Sequence, residues 1–269
     1  MEPGPRVWRA TSLLEACMSR RSFATLAVVC ALLFTILAVH APGQAQEQTH
    51  YTYVSLWAVS RAQWGDFEKG QEQTRATLEK LVAEGTLVSW GMGADLVHNE
   101  EGYTHADWFI ATSQANIVKA LQTLRSAPPG SLTSAIKHHD LMLHTIAHGG
   151  KTGKANSGVL RVAFWQAKPG RGDDVEAFFK KYIQPDLDAD VADGTALSYN
   201  FDTETIHTAV PGGYNLAVIY ANASGLDKAT ARLAARSKEN PAVGDGFVSM
   251  LEMGEHRDAL YEVQGYQHK

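Results

Sequence analysis

An internal repeat constrains the fold of this chain more than any other feature. Residues 194–221 are a degenerate copy of residues 85–111, about 109 residues earlier. Each copy contains a strand with alternating side chains, a histidine, a Gly-Tyr turn and a second apolar strand. A chain of 269 residues with a repeat of this length is predicted to form two similar units, each of ordinary domain size.

Each unit is predicted to contain, in order, a strand, a helix, two strands, a helix and a final strand. Alternating β-rich segments at 51–59 and 159–166 begin the two units, and apolar residues at helical spacing follow each of them. This order predicts a four-stranded antiparallel sheet with both helices on one face. We place Trp57 and Trp165 on the other face, which must then be buried against the second unit.

The order of elements, repeated in tandem, resembles the dimeric α+β barrel superfamily. The resemblance covers residues 51–263 and rests on topology and repeat. It implies an α+β fold of two tandem ferredoxin-like βαββαβ units whose sheets face each other and pair into an α+β barrel. The superfamily includes cofactor-free monooxygenases of the antibiotic-biosynthesis type, haem-handling enzymes and members without known activity.

The amino-terminal segment is predicted to be a secretory signal. Arg20 and Arg21 precede an apolar run at 24–39, and Gly43-Gln44-Ala45 places small residues where a signal peptidase reads them. The run is short for a transmembrane helix, so we expect no stable membrane anchor. The protein is therefore expected to be periplasmic or extracellular, as an exported bacterial protein, by the general secretory or the twin-arginine route.

The predicted boundaries follow from the repeat and the signal. They are a signal peptide at 1–45, a first ferredoxin-like unit at 46–148, a flexible linker at 149–157, a second unit at 158–263 and a tail at 264–269. Both cysteines, Cys17 and Cys30, fall in the signal, so the mature chain is expected to lack disulfides. Beyond residue 45 the chain carries 20 basic and 27 acidic residues, a balance that disfavours nucleic acid as a partner.

A His-x-Asp pattern recurs in the final strands of the two units, as His138 with Asp140 and as His256 with Asp258. A histidine beside a carboxylate suits proton transfer or substrate contact, so these four residues are the candidate catalytic residues. The alternative is a strand-end histidine satisfied by its neighbours. No third ligand has diagnostic spacing, and neither a metal site nor a bound cofactor is predicted.

Four further residues are candidates for ligand binding: the paired aromatics Trp57 and Trp165, and the hairpin histidines His98 and His207. The alternative is that the tryptophans fill the core and the histidines lie on the surface. We expect a small apolar molecule to bind between sheet and helices of at least one unit, with the final-strand His and Asp at the rim. If Leu141 and Leu143 instead pack under the helices, the site would lie in the seam between the sheets.

The sequence lacks the signatures of serine hydrolases, zincins, c-type cytochromes and dinucleotide-binding enzymes. The function that fits it best is an exported small-molecule-binding barrel. One alternative is a cofactor-free monooxygenase or isomerase acting on an apolar or aromatic substrate. A second alternative is a haem- or metal-handling protein. The two units are expected to pair with each other, and further self-association stays open.

Overall fold

A computed structural model describes residues 49–98, 100–126, 135–208 and 211–269. The predicted signal peptide and both cysteines lie outside these residues, so export stays a prediction from the sequence. Within the described ranges, no helix has both the length and the apolar content that crossing a bilayer requires.

The described residues form an α+β fold of strands and helices, with a π-helical turn at Phe179–Ile183 and short 3₁₀ turns at Arg61–Gln63 and Met253–Glu255. The strands are β1 His50–Val59, β2 Ser89–Asp95, β3 His105–Ala111, β4 Ala135–Gly150, β5 Gly153–Ala155, β6 Val159–Gln166, β7 Ala196–Ile206, β8 Gly213–Tyr220 and β9 Arg257–His268. The helices are α1 Trp64–Ala83, α2 Gln114–Ser126, α3 Gly172–Phe178, α4 Gln184–Asp193, α5 Ala223–Glu239 and α6 Pro241–Ser249.

Eight of the strands close into one antiparallel barrel. Their order around it is β2-β3-β1-β4-β7-β8-β6-β9, and β9 pairs with β2 to complete the ring. The short strand β5 adds to β9. Closure leaves none of these eight strands as a free edge, so their backbone N–H and C=O groups find partners within the barrel.

The expectation that two sheets face each other needs correction, because the strands meet edge to edge in one continuous sheet. The reason lies in two final strands that are longer than predicted. The end of β4, residues 142–150, pairs with β7, and the end of β9, residues 261–268, pairs with β2. Consequently residues 149–150, 153–155 and 264–268 belong to strands, whereas the sequence predicted a flexible linker and a tail there.

Apolar side chains pack on both surfaces of the barrel wall. Under α1 and α2, the outer surface carries a cluster that includes Leu78, Trp90 and Ile117. Under α3 and α4, a second outer cluster is built around the stacked rings of Phe179 and Phe201, whose centroids lie 3.8 Å apart. A third cluster lines the barrel interior and contains Trp108, Leu160, Ile219, Tyr261 and Tyr266.

The predicted face of Trp57 and Trp165 is also corrected. Trp57 packs against Phe67 of α1, and Trp165 packs against Phe247 of α6, so both indoles lie on the helix-covered surface. Their strands alternate, so the smaller Val54 and Val162 point into the barrel. The bulky rings fill the space between wall and helices and do not occupy the barrel interior.

Candidate functional site

The barrel interior contains a cavity of about 870 Å³. A volume of this size falls in the range of small-molecule binding sites, which is about 300–1,000 Å³. Its walls come from all eight barrel strands, and one end lies where β4 and β9 begin. There Glu101, in the loop between β2 and β3, contacts the amine of Lys137 through its carbonyl (3.1 Å) and Arg257 through its carboxylate (3.2 Å).

The cavity wall is divided into an apolar and a polar side. The apolar side carries large side chains from six strands: Val54, Leu56, Trp108, Ile110, Leu141, Leu143, Leu160, Val162, Ile219 and Tyr261. The polar side follows β7, where alternate residues Ser198, Asn200, Asp202 and Glu204 face inward, and Asn215 of β8 lies beside them. A ligand with one polar edge and an otherwise apolar surface would match this division.

Asp202 is the most deeply buried carboxyl group on the polar side, with 2% of its surface exposed. Burial raises the pKa of Asp202 to about 7, and hydrogen bonds from Thr145 and Thr52 partly offset that rise. The Thr52 hydroxyl donates to the carboxylate at 3.4 Å and lies 3.2 Å from the Thr145 hydroxyl. Asp202 can therefore exchange a proton with a cavity ligand near neutral pH.

A second buried carboxyl group lies on the outer surface of the wall, under α1. Asp107 accepts hydrogen bonds from Nε2 of Gln71 at 2.7 Å and from Nε1 of Trp57 at 3.1 Å. Burial raises the pKa of Asp107 to about 7, and these two donors partly offset that rise. Both donors are fixed protein groups, and Asp107 is absent from the cavity lining. The Asp107 carboxylate is therefore hydrogen-bonded by protein side chains and does not face the cavity.

His138 and Asp140 lie on the same outer surface, because Leu141 and Leu143 line the cavity. Nε2 of His138 lies 2.7 Å from the Ser55 hydroxyl and 2.7 Å from the Asp140 carboxylate, and Ser55 donates to Asp140 at 2.8 Å. Ser55 and Asp140 thus contact the same imidazole nitrogen of His138. In a catalytic triad the carboxylate would hold Nδ1 and leave Nε2 for the serine, so this geometry lacks the arrangement that activates a nucleophile.

The pair in the second half is more open. His256 and Asp258 lie 3.9 Å apart, and Asp258 accepts from Arg161 at 2.9 Å. Nδ1 of His256 lies 2.8 Å from the carbonyl oxygen of Phe164. In both halves the histidine ring stacks on the tryptophan of the first strand, with centroids 3.9 Å apart for Trp57–His138 and 5.5 Å apart for Trp165–His256.

The remaining predicted residues occupy the barrel end. His98 borders the cavity there, together with His256 and Asp258. His207 follows β7 and is exposed. The cavity is thus reached by His98, His256 and Asp258 of the eight predicted site residues, and the other five lie outside it. Their catalytic and binding roles stay predictions.

In the part of the chain that the structure describes, no group of three or more His, Cys, Asp or Glu side chains is placed to hold a metal ion. The titratable groups that distinguish the interior, Asp202 above all, were missed from the sequence. The signal that would have found them is the period-two run Ser198, Asn200, Asp202, Glu204. A polar strand face is ordinarily interpreted as solvent-facing, and only barrel closure turns it inward.

The chain matches no protein-family model and no curated protein sequence. Solved structures, however, share its fold. A protein designated as a candidate monooxygenase from Lactobacillus acidophilus NCFM superposes with a TM-score of 0.62 at 10% identity, over 82% of this chain and 96% of that one. A second candidate monooxygenase, from Fusobacterium nucleatum subsp. nucleatum, gives a TM-score of 0.60 at 9% identity, over 83% and 96%.

A protein described as anthrone oxidase-like is also similar, with a TM-score of 0.51 at 8% identity over 83% of this chain and 94% of that one. The chain therefore shares the α+β fold of these three proteins. At these identities the likeness establishes the fold alone, so the chemistry has to be argued from the cavity.

Proposed function

We propose that the protein binds a small, largely apolar molecule inside the barrel and oxygenates it without a cofactor, with Asp202 as the proton acceptor. The observation that carries the proposal is the position of Asp202: a buried carboxyl group on the polar side of a cavity whose other side carries large apolar side chains. A base of this kind needs a pKa near the working pH, and burial supplies it.

The reaction would begin at an acidic CH₂ group of the substrate. The Asp202 carboxylate takes one proton, the C–H bond breaks, and its electron pair delocalises into the aromatic system. The resulting anion reduces O₂ and combines with it to give, after protonation, a hydroperoxide. Loss of water then leaves a C=O group, so one substrate and one O₂ yield one ketone and one water. The apolar walls keep bulk water away from the anion.

The names of three proteins with this fold, two candidate monooxygenases and an anthrone oxidase-like protein, support the same class of chemistry. We further infer that the barrel consists of two tandem ferredoxin-like units. The strand orders β2-β3-β1-β4 and β7-β8-β6-β9 support this, because each half places its first and third strands at the centre.

The experiment fills the cavity and measures binding and turnover. Ala217 faces the cavity and is half-buried, so Ala217→Phe places a ring in the space where the ligand would lie. Wild-type protein is expected to bind fluorene, followed by its fluorescence, and to accelerate O₂ consumption with anthrone above the spontaneous rate. The variant is expected to lose about tenfold or more in both measurements, because overpacking excludes the ligand.

Val118→Phe is the matched control, since Val118 is exposed on α2 and the same ring is added outside the cavity. It should bind and turn over as wild type does. Thermal unfolding of both variants checks that they are folded. Absence of fluorene binding in the wild type, or full binding in Ala217→Phe, would overturn the proposal.

A further inference from the structure

Asn215 carries an amide N–H donor for which the described residues supply no acceptor. It lies on the cavity wall with 9% of its surface exposed. Its Nδ2 is buried and has no hydrogen-bond partner among the described residues. A buried N–H donor without a partner costs free energy. Such a donor on a cavity wall therefore indicates that a ligand supplies the hydrogen-bond acceptor.

The neighbour of Asn215 across the strand pair is Asp202. The two residues are register partners in the antiparallel pairing of β7 with β8, and both line the cavity. Directly opposed residues in such a pair project to the same face, with Cβ atoms about 4.5–5.5 Å apart. A proton acceptor and a hydrogen-bond donor therefore lie side by side on the polar side of the wall.

We propose that Asn215 donates a hydrogen bond to a carbonyl oxygen of the substrate, so that the cavity selects planar aromatic ketones whose acidic CH₂ group is conjugated with that carbonyl. This inference rests on the proposed function and names its substrate class. When the C–H bond breaks and the proton moves to Asp202, the electron pair delocalises onto the carbonyl oxygen. Asn215 then faces the oxygen on which the negative charge develops.

The rest of the cavity fits such a molecule. Its other walls carry Trp108, Leu160 and Ile219 among their apolar side chains, and these suit the faces of fused rings. The side-by-side placement of Asn215 and Asp202 therefore orients the ketone, with its carbonyl oxygen at Asn215 and its CH₂ group at Asp202.

The test compares two planar probes of nearly equal size. 9-Fluorenone has a carbonyl group, and fluorene has a CH₂ group in its place. Wild-type protein is expected to bind fluorenone about tenfold more tightly than fluorene, because only the ketone satisfies the buried amide. The infrared carbonyl stretch of bound fluorenone should shift to lower frequency, as hydrogen bonding weakens the C=O bond.

Asn215→Leu removes the donor at nearly constant size and should fold, since it exchanges an unpartnered buried amide for an apolar group. The variant is expected to bind both probes equally, with fluorene affinity unchanged and the infrared shift gone. Asn116→Leu on α2 makes the same chemical change outside the cavity and should keep the preference.

The outcomes separate the two ideas. If wild type binds both probes without preference, or Asn215→Leu retains the preference and the infrared shift, the role of Asn215 is overturned and the binding cavity stands. If wild type binds neither probe, the proposed function fails and this inference fails with it.

Discussion

Asp107 and Asp202 are the two buried aspartates whose pKa burial raises to about 7, yet they lie in opposite settings. Asp107 lies on the outer surface of the wall and is held by the amide of Gln71 and the indole of Trp57. Asp202 lies on the inner surface, held by threonine hydroxyls and bordering a cavity. A raised pKa therefore identifies burial, and the cavity identifies which group a ligand can reach.

The two surfaces of the wall also differ in how they are filled. On the outer surface, large aromatic residues such as Trp57 and Phe67 occupy the space under α1. On the inner surface, smaller residues such as Ala106, Ala217 and Ala259 leave room between the strands. The same barrel wall thus borders a packed core on one side and a cavity on the other, and substitutions on the two sides should behave differently.

The largest difference is expected in turnover. Asp202→Asn should lower the rate of O₂ consumption with anthrone by about 10²–10⁴-fold, because the amide cannot accept the substrate proton. Asp107→Asn should stay within about threefold of wild type, since Asp107 does not line the cavity. The wild-type rate should rise with pH and level off above about 7, as the Asp202 carboxyl group ionises. An equal loss of O₂ consumption rate in both variants would contradict the proposed difference between the inner and the outer surface.

Stability should not distinguish the two aspartates. A pKa raised from 3.8 to about 7 means that the folded protein holds a proton which the unfolded chain has released. The stabilisation is complete below about pH 4 and is lost as the pH rises to about 7. Each Asn variant lacks this titration. Between pH 4 and 7 the free energy of unfolding of the wild type should therefore fall, relative to that of each variant, by a difference on the order of 4 kcal/mol. Urea unfolding at pH 4.5, 6 and 8 measures this difference. If the free energy of unfolding changed with pH in the same way for variant and wild type, the raised pKa would be contradicted.

Much of the fold was predictable because the repeat and the strand alternation are local signals. The predicted strand at 51–59 lies within one residue of β1, and the helix predicted to follow it is α1. Closure was harder to foresee, because it depends on the far ends of β4 and β9. Those ends contain Gly149, Gly150 and Gly265, residues that favour loops when only local propensity is considered. Pairing with the other half holds them in strands.

The candidate site was less predictable, and the reason is a choice of face. Alternation places His138 and Asp140 on the strand face opposite Leu141 and Leu143, but it does not determine which of the two faces meets the helices. The leucines line the cavity, so the polar pair lies outside it. Asp202 was not predicted as a site residue for the same reason, since an acidic residue in an alternating strand resembles an ordinary solvent-exposed residue.

The smallest effect is expected from the double substitution His138→Ala with His256→Ala. Both rings stack on a tryptophan of the outer surface and are partly exposed, so their removal should lower the free energy of unfolding by about 1–2 kcal/mol in total. His138 should account for most of it, because its ring lies closer to its tryptophan and also contacts the buried Ser55 hydroxyl at 2.7 Å. Fluorene affinity should stay within about twofold, since His138 lies outside the cavity and His256 borders only its end, away from the apolar and the polar side. Urea unfolding of the two single variants and the double variant, with fluorene titration of each, measures both quantities. A tenfold loss of affinity without loss of stability would instead place the histidines in the binding site, and the outer surface could no longer be regarded as a packed core alone.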